Sequence, residues 1–346
     1  MHQATYTGDR TVLVRRCDPV PPAAGQVRID VAYTGICGTD LHVLHGAMAA
    51  RVRPPAVLGH EMSGRIAELG AGVTGWRVGE HVTVMPTVTC GRCPACAAGH
   101  THLCHHLGFL GIDSEGAMQN SWTVPADLLV RLPDGLRLDH GALVEPTAVA
   151  VHDVRRSGLA AGERAAVVGG GPIGVLIALV ARRAGADVLV VEPDAHRRSV
   201  AERLGLVCLD PSAADVVAEV GARTGGAGAE VVFEVSGAAD GVTTAVGCLG
   251  VRGRLVLVAI HAVPRAVDLH RFFWRELTLV GARLYLREDF EEAARLLAAG
   301  DLPVDALVSR IEPLARADAA LAALDSGGGA MKVLIDCRPA TGTEQA

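Results

Sequence analysis

The stretch AAVVGGGPIG, Ala165 to Gly174, decides how the second half of this chain folds. AAVV is a short apolar run fit for a buried parallel strand, and the segment after it keeps helical apolar spacing through Val175, Leu176, Leu179 and Val180. Between the two, Gly169, Gly171 and Gly174 match the pattern G-x-G-x-x-G. Its physical content is a tight turn at the first glycine, a backbone able to touch a pyrophosphate at the second, and close strand–helix packing at the third. Pro172 and Ile173 open the helix, whose N-terminal amides would face the phosphates.

In a chain with 41 glycines the pattern is weak alone, and its surroundings carry it. Asp187 to Val191 reads as the next strand and ends at Glu192, inside the roughly twenty-residue window where an acidic side chain reaches the ribose hydroxyls. Pro193 and Asp194 start a helix that Gly205 stops. Glu192 repels a 2′-phosphate and accepts hydrogen bonds from a free diol, which favours NAD over NADP. Arg197, one turn on, can contact the diol or a phosphate, so NADP stays as the second choice; a solvated strand end is the bland reading of Glu192. Apolar runs at Glu230 to Val235 and Arg254 to Ala259 flank a helical segment, Asp240 to Leu249. This βαβ alternation predicts a doubly wound parallel sheet.

Upstream the pattern changes. Short runs at Val27 to Ala32, Ser63 to Glu68 and His81 to Val84, punctuated by Gly and Pro, predict a mostly antiparallel β domain. A length of 346 residues exceeds what one core organises. The change near Thr147 to Val151 places a first domain at 1–148 and a nucleotide-binding domain at 149–284. Residues 285–346 are expected to return to the first, with an amphipathic helix at Asp289 to Ala299 and a closing strand at Met331 to Asp336.

That first domain holds the metal-binding chemistry. CGRCPACAAGHTHLC brings Cys90, Cys93, Cys96 and Cys104 into one short lobe, and four thiolates close a tetrahedral zinc site that is structural. Disulfides belong to oxidising compartments, and the ferredoxin run closes with a spacing this lobe lacks. His100, His102, His105 and His106 are read as solvated loop histidines. A second candidate site draws Cys37 from ICGTDLH, His60 and Glu61 from GHEM, and Glu145 from VEPTAVAV. Taken singly these are a buried thiol, core polar groups and a helix-start charge; together they can supply three ligands and one open position, the catalytic arrangement of zinc.

Composition narrows the partners. The formal charge is −6 and the chain has a single lysine, Lys332, so no basic surface exists for nucleic acid. The apolar stretch Ala165 to Ala181 is broken by glycines and is too short for a membrane span of roughly 20 residues. The N-terminus lacks the apolar core of a signal peptide, so the nine cysteines are expected reduced, in the cytoplasm.

These motifs, in this order, resemble the zinc-containing medium-chain dehydrogenase/reductase superfamily, the alcohol dehydrogenase fold. GHEMSGRIAELGAGV carries that family's zinc signature at Gly59, Gly64, Gly70 and Val73, and CGTDLH with VEP resembles its polyol branch of threonine, sorbitol and butanediol dehydrogenases. The resemblance implies a GroES-like catalytic domain beside a Rossmann domain. It implies two zinc ions, with Cys37 and His60 joined by Glu61 or Glu145 at the catalytic one, a carboxylate exchanging with water during turnover. Thr39 and His42 match the branch's proton relay. The implied reaction moves hydride from a secondary alcohol or polyol to NAD: the metal acidifies the hydroxyl, and Thr39 and His42 carry its proton to water. A homo-oligomer, dimer or tetramer, is implied as well.

Phe109, Leu110, Trp274 and Tyr285 are candidates for the pocket wall. Three other readings share the pattern: an NADP-dependent ketone reductase, a zinc-free quinone reductase of the same fold, and a non-catalytic sensor that holds NAD without turnover.

Overall fold

The computed structural model describes residues 1–327 and 329–339. The chain divides into two compact units. One comprises Met1–Glu145, Leu286–Ala298 and the chain from Val308; the other comprises Pro146–Tyr285 and Ala299–Leu307.

The first unit is organised by the Gln26–Gly35 strand, which pairs antiparallel with Glu61–Leu69, with Ser121–Pro125 and with Lys332–Asp336. Its alternation explains its centrality. Val27, Ile29 and Val31 are 0–1% exposed, while Asp30 between them faces outward. They pack with Met62, Ile66, Trp122, Val333 and Ile335, and full burial of each aliphatic side chain contributes about 1.5–3 kcal/mol. The strand expected at Met331 to Asp336 forms over Lys332–Asp336, between Gln26–Gly35 and a parallel neighbour, Val308–Pro313. The C-terminal strand therefore lies two residues from Cys37 in register, since Leu334 opposes Gly35.

The second unit carries six parallel strands in the spatial order Val207–Leu209, Asp187–Val191, Arg164–Val168, Ala229–Glu234, Leu249–Leu257, Thr278–Gly281. Chain order reverses at Arg164–Val168, the switch point outside which ligands bind in doubly wound sheets. The helix Pro172–Arg183 follows, with every residue from Gly174 to Ala181 buried. The strand expected from Arg254 begins five positions earlier, at Leu249. Gly250 and Gly253 look like breakers in sequence, but a register irregularity opposite Ala229 and Val231 absorbs them, with Arg252 at φ 60°. No helix among the described residues is long and apolar enough to cross a membrane.

Candidate active site

Cys37 follows the Gln26–Gly35 strand and is the N-cap of the helix Gly38–Leu44. The Asp40 carboxylate accepts from the Cys37 backbone N–H at 2.8 Å and from Gly59 N–H at 3.3 Å, tying the two ligand-bearing segments together. Asp40 is wholly buried; burial raises its pKa, and nearby His60 opposes that. Gly59 sits at φ 93°, and a methyl there would come within 2.7 Å of Thr34 Cγ2 and 2.8 Å of Met118 Cγ. Only glycine turns the chain in that space, which sends His60 and Glu61 inward.

The outcome is a cluster in which the Cys37 sulfur, a His60 ring nitrogen and a Glu61 carboxylate oxygen lie within 4.8 Å of one another. Burial works to lower the His60 pKa, but the adjacent Cys37, by charge and hydrogen bond, with Asp40 and Glu145, carries it up to about 10. So negative a pocket favours a cation. His60 Nδ1 is buried without a hydrogen-bond partner, and a thiolate, an imidazole and a carboxylate at this spacing fit zinc. Glu145 lies in the first turn of Val144–Ser157, 5% exposed; it acts electrostatically on His60 but stands outside the three-donor cluster. Of the two carboxylates expected, the geometry gathers Glu61.

Thr39 Oγ1 is 3.7 Å from the Cys37 sulfur, and His42, three residues on in the same helix, is exposed to solvent. Phe109 stands edge-on to the His60 ring at 5.2 Å between centroids. The other three pocket candidates differ: Leu110 is buried in the apolar core of the first unit, Tyr285 is buried, and Trp274 is 68% exposed beside His270.

Cys90, Cys93, Cys96 and Cys104 converge on one point with all their sulfurs unpaired by disulfides. Backbone N–H groups of Cys90 and His106 donate to the Cys104 sulfur, and His105 N–H to that of Cys93. N–H donors from Cys96 and His105 bring the Cys93 thiol down to about 6, while burial and the neighbouring sulfurs push Cys96 up to about 12. The lobe fits a closed zinc site. One expectation is corrected: His102, in the single turn Thr101–Leu103, is buried, at 8% exposure, with its ring edge-on to that of His100. His100, His105 and His106 are exposed as expected.

In the second unit Gly169 makes the turn at φ 108°, and a methyl on Gly174 would overlap the Gly169 carbonyl oxygen. The helix Pro172–Arg183 has Gly171 as N-cap with no side-chain cap, so its first amides are available to a phosphate. Glu192 accepts from Gly170 N–H at 2.7 Å and Asp194 N–H at 2.8 Å, and Arg197 reaches within 4.0 Å of it. The arrangement fits a dinucleotide.

Sequence reasoning passed over three residues of this site. Asp40 was legible as an acid three positions after an N-cap, the capping-box spacing. Lys332 was legible as a lone cation inside the apolar strand MKVLID, which must be paired if buried. Gly35 had no signal, since its role depends on what lies across the sheet.

Two family models match: "Alcohol dehydrogenase GroES-like domain" over residues 23–134 and "Zinc-binding dehydrogenase" over residues 172–299. The chain is 49% identical to 2-dehydro-3-deoxy-L-galactonate 5-dehydrogenase of Pseudoalteromonas atlantica, over 97% of this chain and 99% of that protein. It is 35% identical to L-galactonate-5-dehydrogenase of Escherichia coli, over 85% and 86% respectively. Among solved structures, a zinc-binding dehydrogenase of Sinorhizobium meliloti bound to NADP superposes with TM-score 0.92 at 32% identity, covering 97% of this chain and 98% of that one.

Proposed function

Since the chain belongs to the zinc-dependent alcohol dehydrogenase family, within its polyol branch, we propose that it oxidises a secondary hydroxyl of a sugar acid to the ketone, reversibly, with NAD. The observation that supports this reading best is the 49% identity, over 97% of the chain, to an enzyme named for a sugar-acid substrate. Neutral polyols and diols, the broader expectation, form the comparison class.

Zinc, when bound, would supply Lewis acidity toward the substrate oxygen, and a nicotinamide would supply the hydride acceptor. Cys37 and His60, with Glu61 or Glu145, would hold the metal. Asp40 fixes Cys37 through its backbone rather than its sulfur, leaving the thiolate for the ion. The Thr39 hydroxyl both accepts and donates, so it takes the substrate proton and passes it to His42, whose exposed ring releases it to water. Phe109 shields one side of His60 from water. Gly169, Gly171 and Gly174, with Pro172 and Ile173, seat the pyrophosphate, and Glu192 receives the ribose diol. Arg197 beside Glu192 and the NADP-bound relative support a second reading in which NADP is accepted.

Purified protein should be offered NAD and NADP in parallel with sugar acids, their 3-deoxy-2-keto forms, sugar alcohols, cyclitols, vicinal diols and threonine, while the absorbance of reduced cofactor is followed. The expected kcat/KM for a sugar acid exceeds that for a neutral polyol of equal length by about 10-fold, the value of one charged contact of about 1.4 kcal/mol. NAD is expected to lead NADP. Faster turnover of neutral polyols would reject the sugar-acid assignment, and turnover of nothing would favour the sensor.

The Thr278–Gly281 strand lies at the sheet edge and carries exposed Leu279, and Ile260, Leu269, Phe273 and Trp274 in the segment before it are exposed as well, each of the five between 48% and 78%. An unpaired edge with that much apolar surface supports a homo-oligomer. Sedimentation equilibrium is expected to return a multiple of 35.8 kDa, and a single-chain mass at micromolar protein would refute it.

A further inference from the structure

Lys332 is the only lysine in the chain, and it is 4% exposed. Its ammonium is ion-paired with Glu61 Oε2 and donates at 3.0 Å to the carbonyl of Ile36, the residue before Cys37. Space is reserved for the pair. Gly35 opposes Glu61 across one strand pair and Leu334 across the other, and a methyl on Gly35 would collide with Glu61 Oε2 and lie 3.1 Å from Lys332 Cε.

The arrangement has a chemical consequence. Glu61 has two carboxylate oxygens, and its side chain is one of three donors within 4.8 Å of each other. A carboxylate free to rotate would offer both oxygens to a dication and fill the position that substrate needs. With one oxygen pinned by an ammonium anchored to the backbone, it cannot. Charge points the same way: a buried site that gathers a thiol and a carboxylate is given one balancing cation, the Lys332 ammonium.

We propose that Lys332 is a positioning residue that restrains Glu61 and thereby keeps one coordination position of the Cys37–His60 metal open. The proposal rests on the reading that this cluster holds the catalytic metal, and it adds what controls access to that ion.

The test uses full-length protein loaded with cobalt(II), whose visible absorption reports coordination, titrated with imidazole as an exogenous ligand. The closed cysteine lobe has no position to offer, so imidazole reads the other site alone. Wild type is expected to bind imidazole with a clear spectral change. In Lys332→Met, Glu61 is released onto the metal: imidazole affinity should fall at least about 10-fold, and release of cobalt to a chelator should slow (a tenfold change corresponds to about 1.4 kcal/mol). The double variant Lys332→Met/Glu61→Gln should recover imidazole affinity to within about threefold of wild type, and Lys332→Arg should retain most of it. A merely structural lysine would not be rescued by changing its partner. Wild-type imidazole binding in Lys332→Met, or no recovery in the double variant, overturns the proposal. Should Lys332→Met not fold, Lys332→Gln decides in its place: imidazole affinity at least about 10-fold below wild type supports the restraint, and wild-type affinity overturns it. Failure of wild type to load cobalt beyond the cysteine lobe would instead reject the metal-site reading itself.

Discussion

Cys37→Ser is expected to lower kcat/KM by at least about 10³-fold, a loss of about 4 kcal/mol in transition-state stabilisation, while leaving the fold intact. The two halves of that outcome have separate causes. A serine hydroxyl is a far weaker zinc ligand than a thiolate, so metal content should fall by one equivalent per chain, and the Lewis acid leaves with it. Yet a serine can take over the structural duties of position 37. Its backbone N–H serves the Asp40 carboxylate, and its place at the N-cap of Gly38–Leu44 suits serine well. The melting temperature should therefore stay within about 2–4 °C of wild type, the shift one kcal/mol produces in a domain of this size. Metal analysis, steady-state kinetics and a thermal melt on one preparation check all three parts. A serine variant retaining its full metal complement, or one lacking that equivalent yet turning over at wild-type speed, would falsify the assignment of Cys37.

Where a side chain and its partner are close in sequence, the reading from sequence was direct. The Gly169 turn, the strand Asp187–Val191 and the sulfur lobe each depend on residues within about one element, and periodicity or ligand spacing reports such local demands. The catalytic cluster was only partly legible. Cys37, His60 and Glu61 were recognisable from their motifs, but that Glu61 rather than Glu145 joins the three-donor cluster depends on the pairing Gly35↔Glu61, which no local pattern encodes. Lys332 lies 271 positions from Glu61, and it meets the site because the C-terminal strand inserts beside Gln26–Gly35. A lone lysine in an apolar strand signals that it needs a partner without naming one. Likewise, Trp274 was a candidate for the pocket wall with core burial as the bland alternative, whereas the helix Leu269–Arg275 that carries it has no buried residue.

Cys93→Ser is expected to do the reverse of Cys37→Ser: it should remove one metal equivalent and weaken the protein before it weakens the chemistry. The lobe from Cys90 to Cys104 has little apolar material to hold it, since its helix Pro94–Ala97 is a single turn with no buried residue and its other turn spans only Thr101–Leu103. A structural zinc in such a segment supplies folding free energy directly; apparent binding in isolated zinc-finger peptides amounts to about 10–16 kcal/mol. In a larger domain only the part coupled to the lobe is lost on unfolding it, so a fall in melting temperature of at least about 5 °C is the expected scale. Position 93 is the most exacting of the four to test. N–H donors from Cys96 and His105 lower its thiol's pKa, and a serine there leaves those donors facing a neutral hydroxyl. Limited proteolysis should accordingly open within residues 88–107 in the variant and not in wild type. Residual kcat measured at low temperature, per folded molecule, should remain within about threefold of wild type, because the metal that polarises the substrate is the other one. A Cys93→Ser protein with two metals per chain, an unchanged melt and no new cleavage would show that the four sulfurs hold no structural ion.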